Sequence, residues 1–161
     1  MPQELPAGIT GANWIIDGKL LAMTFPMEDD LIALKEAGFG LVINLTEKPS
    51  ATQLAGQVGI KGAFLPILNM TAPMRDQIEE FVAIVSYYLS ENLPVAVHCL
   101  FGVGRTGTMI ACYLVSIGYT PRGAIEHVRN RRPGSVETDG QMRAIYQYAE
   151  YLKKQPQEPA K

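Results

Sequence analysis

Cysteine and histidine are both scarce in this chain of 161 residues: Cys99, Cys112, His98 and His127 are all there are. Two thiols thirteen positions apart cannot form a disulfide scaffold, and with two histidines they make a poor four-ligand zinc set, so no metal site is expected. An excess of one charge is also missing, with 14 basic residues against 16 acidic and a net charge of −2. A general nucleic-acid or membrane-surface binder needs a basic footprint, so neither partner is expected, although a small basic pocket remains compatible. No apolar run approaches the ~18 residues of a membrane span. The opening "MPQELPAGIT" shows no basic segment followed by an apolar one, hence no signal peptide. Repeats, linkers and long low-complexity stretches are absent too. The expectation is one domain over residues 1–161, with a core at about 13–154 and a loose tail at 155–161, in a reduced, cytoplasmic, monomeric protein.

What is present is apolar content of 47%, enough for one real core. "NWIIDGKLLAM" (13–23) reads as one or two strands around the Asp17-Gly18 turn. Residues 27–39 carry early acids and a late glycine, the asymmetry of a helix with favourable ends. "LVINL" (41–45) is a buried-strand run, 51–58 a short helix and "GAFLPI" (62–67) another strand. After Pro73, apolar residues at 78, 81, 82, 84, 85, 88 and 89 mark a helical face. "PVAVHC" (94–99) is a strand, followed by a helix ended by Gly118, a helix from Pro121 to about Arg131, and an amphipathic helix over 137–154. Strands interleaved with helices predict an α/β fold: a central, mostly parallel sheet of four or five strands with helices on both faces.

The segment "HCLFGVGRTG" (98–107) admits two readings. Gly102, Gly104 and Gly107 fit the dinucleotide pattern G-x-G-x-x-G, and Glu126 lies nineteen residues further on. That chemistry needs the acid at the end of a second strand, whereas 121–131 reads as helix. The other reading uses every residue. A strand delivers Cys99, and the amides of Leu100, Phe101, Gly102, Val103, Gly104 and Arg105 can curl into a nest for phosphate oxygens. A helix starting near Gly104 or Arg105 aims its N-terminal dipole at the same point. Arg105 adds a planar fork able to hold two oxygens together. Such surroundings favour thiolate over thiol, and Thr106 can donate to the sulfur as it departs.

The whole motif, H-C-x-x-G-x-x-R-[ST]-G, resembles the signature of the protein tyrosine phosphatase superfamily. With "NWIIDGKLLAM", "VINLTE", "DQIEEFVAIV" and "RRPGSVET", the chain from about 13 to 150 is similar to the small atypical dual-specificity phosphatases related to dual-specificity phosphatase 23. The resemblance implies hydrolysis of phosphotyrosine, often also phosphoserine or phosphothreonine, through a phosphocysteine and with no cofactor. Cys99 would be the nucleophile, and Arg105 and the loop amides the phosphate binders. Gln141 falls loosely where relatives keep a glutamine that positions water.

One position departs from that family. Aligning "TAP" (71–73) and "DQI" (76–78) puts Asn69 where relatives keep an aspartate as general acid. An amide cannot give a proton to a leaving oxygen, and general acid catalysis contributes ~10²- to 10⁴-fold in rate, about 3 to 5.5 kcal/mol. Asn69 is compatible with a slow enzyme for good leaving groups, with a substitute carboxylate, with an acidic leaving group, or with an introduced Asp→Asn change. Among the carboxylates near in sequence, Asp76, Asp139 and Glu137, the last is the preferred substitute. The expected substrate is a phosphorylated protein or peptide, because Leu100, Phe101 and Val103 put no cations in the loop. A 5′-triphosphatase acting on RNA or nucleotides and a catalytically weak phospho-binding module are the alternatives.

The remaining polar residues have plainer readings. His98 is a hydrogen-bonding support for the loop, His127 a surface residue and Cys112 a core thiol. Arg129, Arg131 and Arg132 serve either a phosphate or the dipole of their own helix. The tyrosines at 87, 88, 146, 148 and 151 are core or groove walls.

Overall fold

The computed structural model describes residues 3–156. Among these, strands and helices alternate: β1 (Ala12–Ile16), β2 (Leu20–Met23), α1 (Glu28–Glu36), β3 (Leu41–Asn44), α2 (Ser50–Val58) and β4 (Gly62–Phe64) come first. They are followed by α3 (Arg75–Ser90), β5 (Val95–His98), α4 (Arg105–Ser116), α5 (Pro121–Arg131) and α6 (Asp139–Lys154). The expected tail begins at Gln155, directly after α6, and its residues 157–161 lie outside the described part.

The five strands form one sheet in the order β1-β2-β5-β3-β4. Only the β1–β2 hairpin is antiparallel; the Asp17-Gly18 turn makes that pairing, with Gly18 at φ +74°. β5 is the central strand and is apolar on both faces, as a parallel strand covered by helices must be. On one face α1 and α2 cover Leu21, Met23, Val42 and Ala96. On the other, α3 to α6 cover Leu20, Ala22, Ile43 and Val97, with α4 buried along nearly its whole length. Cys112 is part of that second core, and burial pushes its thiol pKa well up, so it stays protonated and inert. The mostly parallel sheet with helices on both faces is therefore the fold read from the sequence.

Register decides where chemistry can sit. Met23 of β2 and Asn44 of β3 both pair with His98 of β5, so these parallel strands end level. Their following loops, together with that after β4, gather at one carboxyl edge of the sheet, where open α/β sheets take ligands. Strand β4 stops at Phe64, short of the predicted 62–67 strand. Leu65 and Ile67 still donate to Asn44 and Leu45 carbonyls, but Pro66 has no N–H to continue the ladder and the chain peels away.

Candidate active site

Every group at this edge is set by a strand end. β5 finishes at His98 and delivers Cys99, which is only 3% exposed. The chain then curls through 100–104 before α4 begins at Arg105. The Gly102 N–H donates to the Cys99 sulfur at 3.3 Å. This inward amide requires φ +75° at Gly102, and a side chain there would run into the Met23 carbonyl. Gly107 matters for packing instead. A Cβ at that position would stand 2.8 Å from that of Ser135, so its absence lets the 132–137 loop close against the start of α4.

Arg105 is 4% exposed and its Nη1 donates to the Ile67 carbonyl at 2.9 Å and to the carboxylate of Glu47. Nε and Nη2 make no hydrogen bond among the described residues, which leaves one edge of the fork for two oxygens of a ligand. Glu47 was not singled out from the sequence, although it ends the "VINLTE" segment. Its position comes from buried Asn44. The Asn44 Oδ1 accepts from the Thr46 N–H at 2.9 Å, and its Nδ2 donates to the Lys48 carbonyl at 3.0 Å. These bonds knot residues 44–48 into a fixed turn that aims Glu47 at Arg105.

Arg132, named in the basic run, has partners that the sequence did not disclose. It belongs to neither reading proposed for the basic run. Only 8% exposed, it donates from Nε to the Gly102 carbonyl at 2.8 Å and from Nη2 to the Phe101 carbonyl at 2.9 Å. Nη1 donates to Asn13 Oδ1 at 2.8 Å, tying the loop to β1. A peptide whose C=O is held outward must turn its flanking amides the other way, so Arg132 helps shape the nest from behind. Burial lowers the guanidinium pKa, and the neighbouring Cys99 sulfur partly raises it again. Arg129 binds the Ser135 and Val136 carbonyls, and Arg131 pairs with Asp17 and the Trp14 carbonyl. His127, expected at the surface, is half-buried and donates to the Ile15 carbonyl at 2.7 Å.

Other expected residues fall as follows. A cleft of about 250 Å³ is lined by Phe25, Glu47, Lys48, Asn69, Leu100 and Arg105, so Asn69 does face the arginine's cleft. Glu137 reaches the loop from the other side: a Cβ on Gly104 would collide with its carboxylate, which makes no side-chain hydrogen bond among the described residues. The 132–137 loop holds it there through Val136, whose N–H donates to the Val103 carbonyl at 2.9 Å and whose φ is +63°. Gln141 is fully buried; its Oε1 accepts from the Glu137 and Thr138 amides, and its Nε2 has no partner among the described residues. Asp76 is outside the cleft and accepts from the Gln77 N–H in the first turn of α3. Thr106 is fully buried, but its hydroxyl makes no hydrogen bond to the Cys99 sulfur or to any other described group. The bond to sulfur comes from the Gly102 amide instead.

His98 is fully buried, with its Nδ1 3.2 Å from the Cys99 carbonyl, so the proton sits on Nδ1, and Phe25 meets the ring edge-on. Burial holds its pKa down at about 4. The unfolded chain takes up this proton below its ordinary value of 6.5, the folded one only near 4. Stability is therefore full above pH 6.5 and falls as pH drops toward 4, by about 3 kcal/mol over the window. Urea unfolding from pH 7 to 4.5 should show this loss, and His98→Asn should flatten the profile. In a second experiment, Arg132→Met should weaken calorimetric binding of inorganic phosphate by about tenfold, the scale of one charged hydrogen bond. Unchanged phosphate binding in a folded Arg132→Met protein would remove its role in shaping the nest.

Comparison with known proteins agrees with this geometry. Residues 18–119 match the family model described as "Polymorphic toxin system, DSP-PTPase phosphatase". Mouse protein tyrosine phosphatase domain-containing protein 1 is 42% identical over 76 residues, covering 47% of this chain and 10% of the mouse protein. Human dual specificity protein phosphatase CDC14A is 28% identical over 139 residues, covering 77% of this chain and 23% of that protein. The chain thus spans a tenth to a quarter of these relatives' lengths. Among solved structures, Tk-PTP in its active form superposes with a TM-score of 0.80 at 31% identity, covering 87% of this chain and 97% of Tk-PTP. PTPMT1 in complex with PI(5)P shares the fold, with a TM-score of 0.81 at 20% identity over 89% of this chain and 97% of that one. The chain belongs to the DSP-PTPase family, the cysteine-dependent tyrosine and dual-specificity phosphatases.

Proposed function

We propose that this protein hydrolyses phosphotyrosine, and with it phosphoserine and phosphothreonine, in phosphorylated proteins. Cys99 attacks the phosphorus in line, and the oxygen of the substrate side chain leaves as sulfur bonds to phosphorus. Arg105 and the 100–105 amides hold the three equatorial oxygens, whose charge grows in the transition state. Glu137 gives its proton to the leaving oxygen, then takes one from the water that hydrolyses the phosphocysteine and releases the Cys99 thiolate and phosphate. The observation that carries this reading is the pairing of two groups on one loop. The Cys99 sulfur accepts the Gly102 amide, while the unbonded Glu137 carboxylate lies against Gly104, two residues further. Asn69 lines the cleft on the Arg105 side but has no proton to give.

The deep sulfur and the apolar collar support a protein substrate. Leu100 is 48% and Phe101 67% exposed, and Leu68 and Met70 of the Asn69 loop are exposed as well. An aryl phosphate is long enough to reach a nearly buried sulfur while its ring contacts this collar.

A leaving-group series of phosphate esters, run on wild type, Asn69→Asp and Glu137→Gln, tests the assignment. Glu137→Gln should slow esters of poor leaving groups by about 10² or more and good ones much less. Asn69→Asp should speed the poor leaving groups. Equal effects across the series would remove Glu137 as proton donor. Preference for a 5′-triphosphorylated oligonucleotide over a phosphotyrosine peptide would replace the protein substrate with a nucleotide one.

A further inference from the structure

Helices α3 and α6 both pack on α4, and a furrow remains between them. Two hollows of about 290 and 710 Å³ lie along it, and a third of about 570 Å³ adjoins them on the outer face of α6, all three lined in part by Gln147. Its walls carry aromatic surface: Tyr146 is 44% exposed, and Tyr151 lies under the Arg75 guanidinium, 3.9 Å from ring centre to Cζ. Three cations line it, Arg75, Arg143 and Lys154, and none forms an ion pair among the described residues. The local acids are fewer or engaged. Glu150 meets Lys153 at 3.4 Å, and Asp139 stands in the first turn of α6. A surplus of unpaired positive charge here contrasts with the chain's overall −2.

The furrow begins beside segments that flank the site. Its near wall includes Pro73 and Met74, the end of the loop that carries Asn69, and Asp139, two residues beyond Glu137. Ala72 of that loop lies against Gly140, where an added Cβ would be 4.0 Å away. The loop that carries Asn69 and the start of α6 thus meet at the near end of the furrow. From Asp139 to Lys154, α6 runs 16 residues, roughly 24 Å at 1.5 Å per residue. An extended peptide of about seven residues covers that length.

We infer that the furrow holds an acidic, aromatic-containing segment of the same phosphoprotein substrate, beside its phosphorylated residue. This inference rests on the protein phosphatase reading above. Carboxylates of such a segment complement Arg75, Arg143 and Lys154, and its apolar side chains lie on Tyr146 and Tyr151. A nucleic-acid strand fits less well, because a phosphodiester at every step would meet Asp139 and Glu150 along the same walls.

The test uses two phosphotyrosine peptides with one common core, extended on either side by seven residues that are acidic and aromatic in one, Gly/Ser in the other. With wild type, the acidic extension should lower KM about tenfold, the effect of roughly 1.4 kcal/mol of added contact. Arg75→Glu/Arg143→Glu/Lys154→Glu should abolish that preference while leaving kcat and KM for a small aryl phosphate unchanged. Arg143→Glu alone, expected to lose part of it, serves if the triple variant does not fold. No preference in wild type, or a preference that survives charge reversal, overturns the inference, as does stronger competition by a single-stranded oligonucleotide than by the acidic peptide. Absence of aryl phosphate turnover in wild type would instead defeat the phosphatase reading itself.

Discussion

The site depends on one hydrogen bond, from the Gly102 amide to the Cys99 sulfur, and on the backbone shape that makes it possible. An amide pointing inward at a loop's centre is a local cost unless the opposite carbonyls have partners. Arg132 supplies them, taking the Phe101 and Gly102 carbonyls on the outer side of the loop. Glycine at 102 supplies the left-handed conformation. The remaining elements act on this loop: β5 brings the cysteine, α4 adds its N-terminal dipole, and the 132–137 loop closes the far side.

Two carboxylates share the work around the arginine and the loop, and they do different things. Glu47 engages Arg105 through one nitrogen and leaves the other edge of the fork open. It fixes a direction, and it owes its own place to the turn that Asn44 ties at the end of β3. Glu137 lies beside Gly104, and its carboxylate makes no hydrogen bond among the described residues. Position, rather than residue type, separates the two roles.

Much of this was legible in the sequence, because local patterns carried it. The Cys99-to-Arg105 spacing sits between a buried strand and a buried helix, and the alternation of elements specified the α/β layers. The β1–β2 turn and the Gly118 helix end were likewise written in single residues. Long-range partners were not. Nothing near Arg132 says that its guanidinium will meet carbonyls thirty residues earlier, and His127 shows no sign of the Ile15 carbonyl it reaches. Glu47 depends on Asn44, a polar residue inside an otherwise apolar strand; that anomaly was a usable signal. Thr106 stands beside the loop as read, and its hydroxyl makes no hydrogen bond to the sulfur among the described residues.

The central claim is that the Cys99 sulfur takes the phosphoryl group while the loop holds its oxygens. Rapid acid quenching during turnover of an aryl phosphate, followed by peptide mass spectrometry, tests it directly. The account predicts a phosphoryl mass on the peptide carrying Cys99, absent from Cys99→Ser. Undiminished turnover in Cys99→Ser, or a phosphoryl group found on another residue, would contradict it.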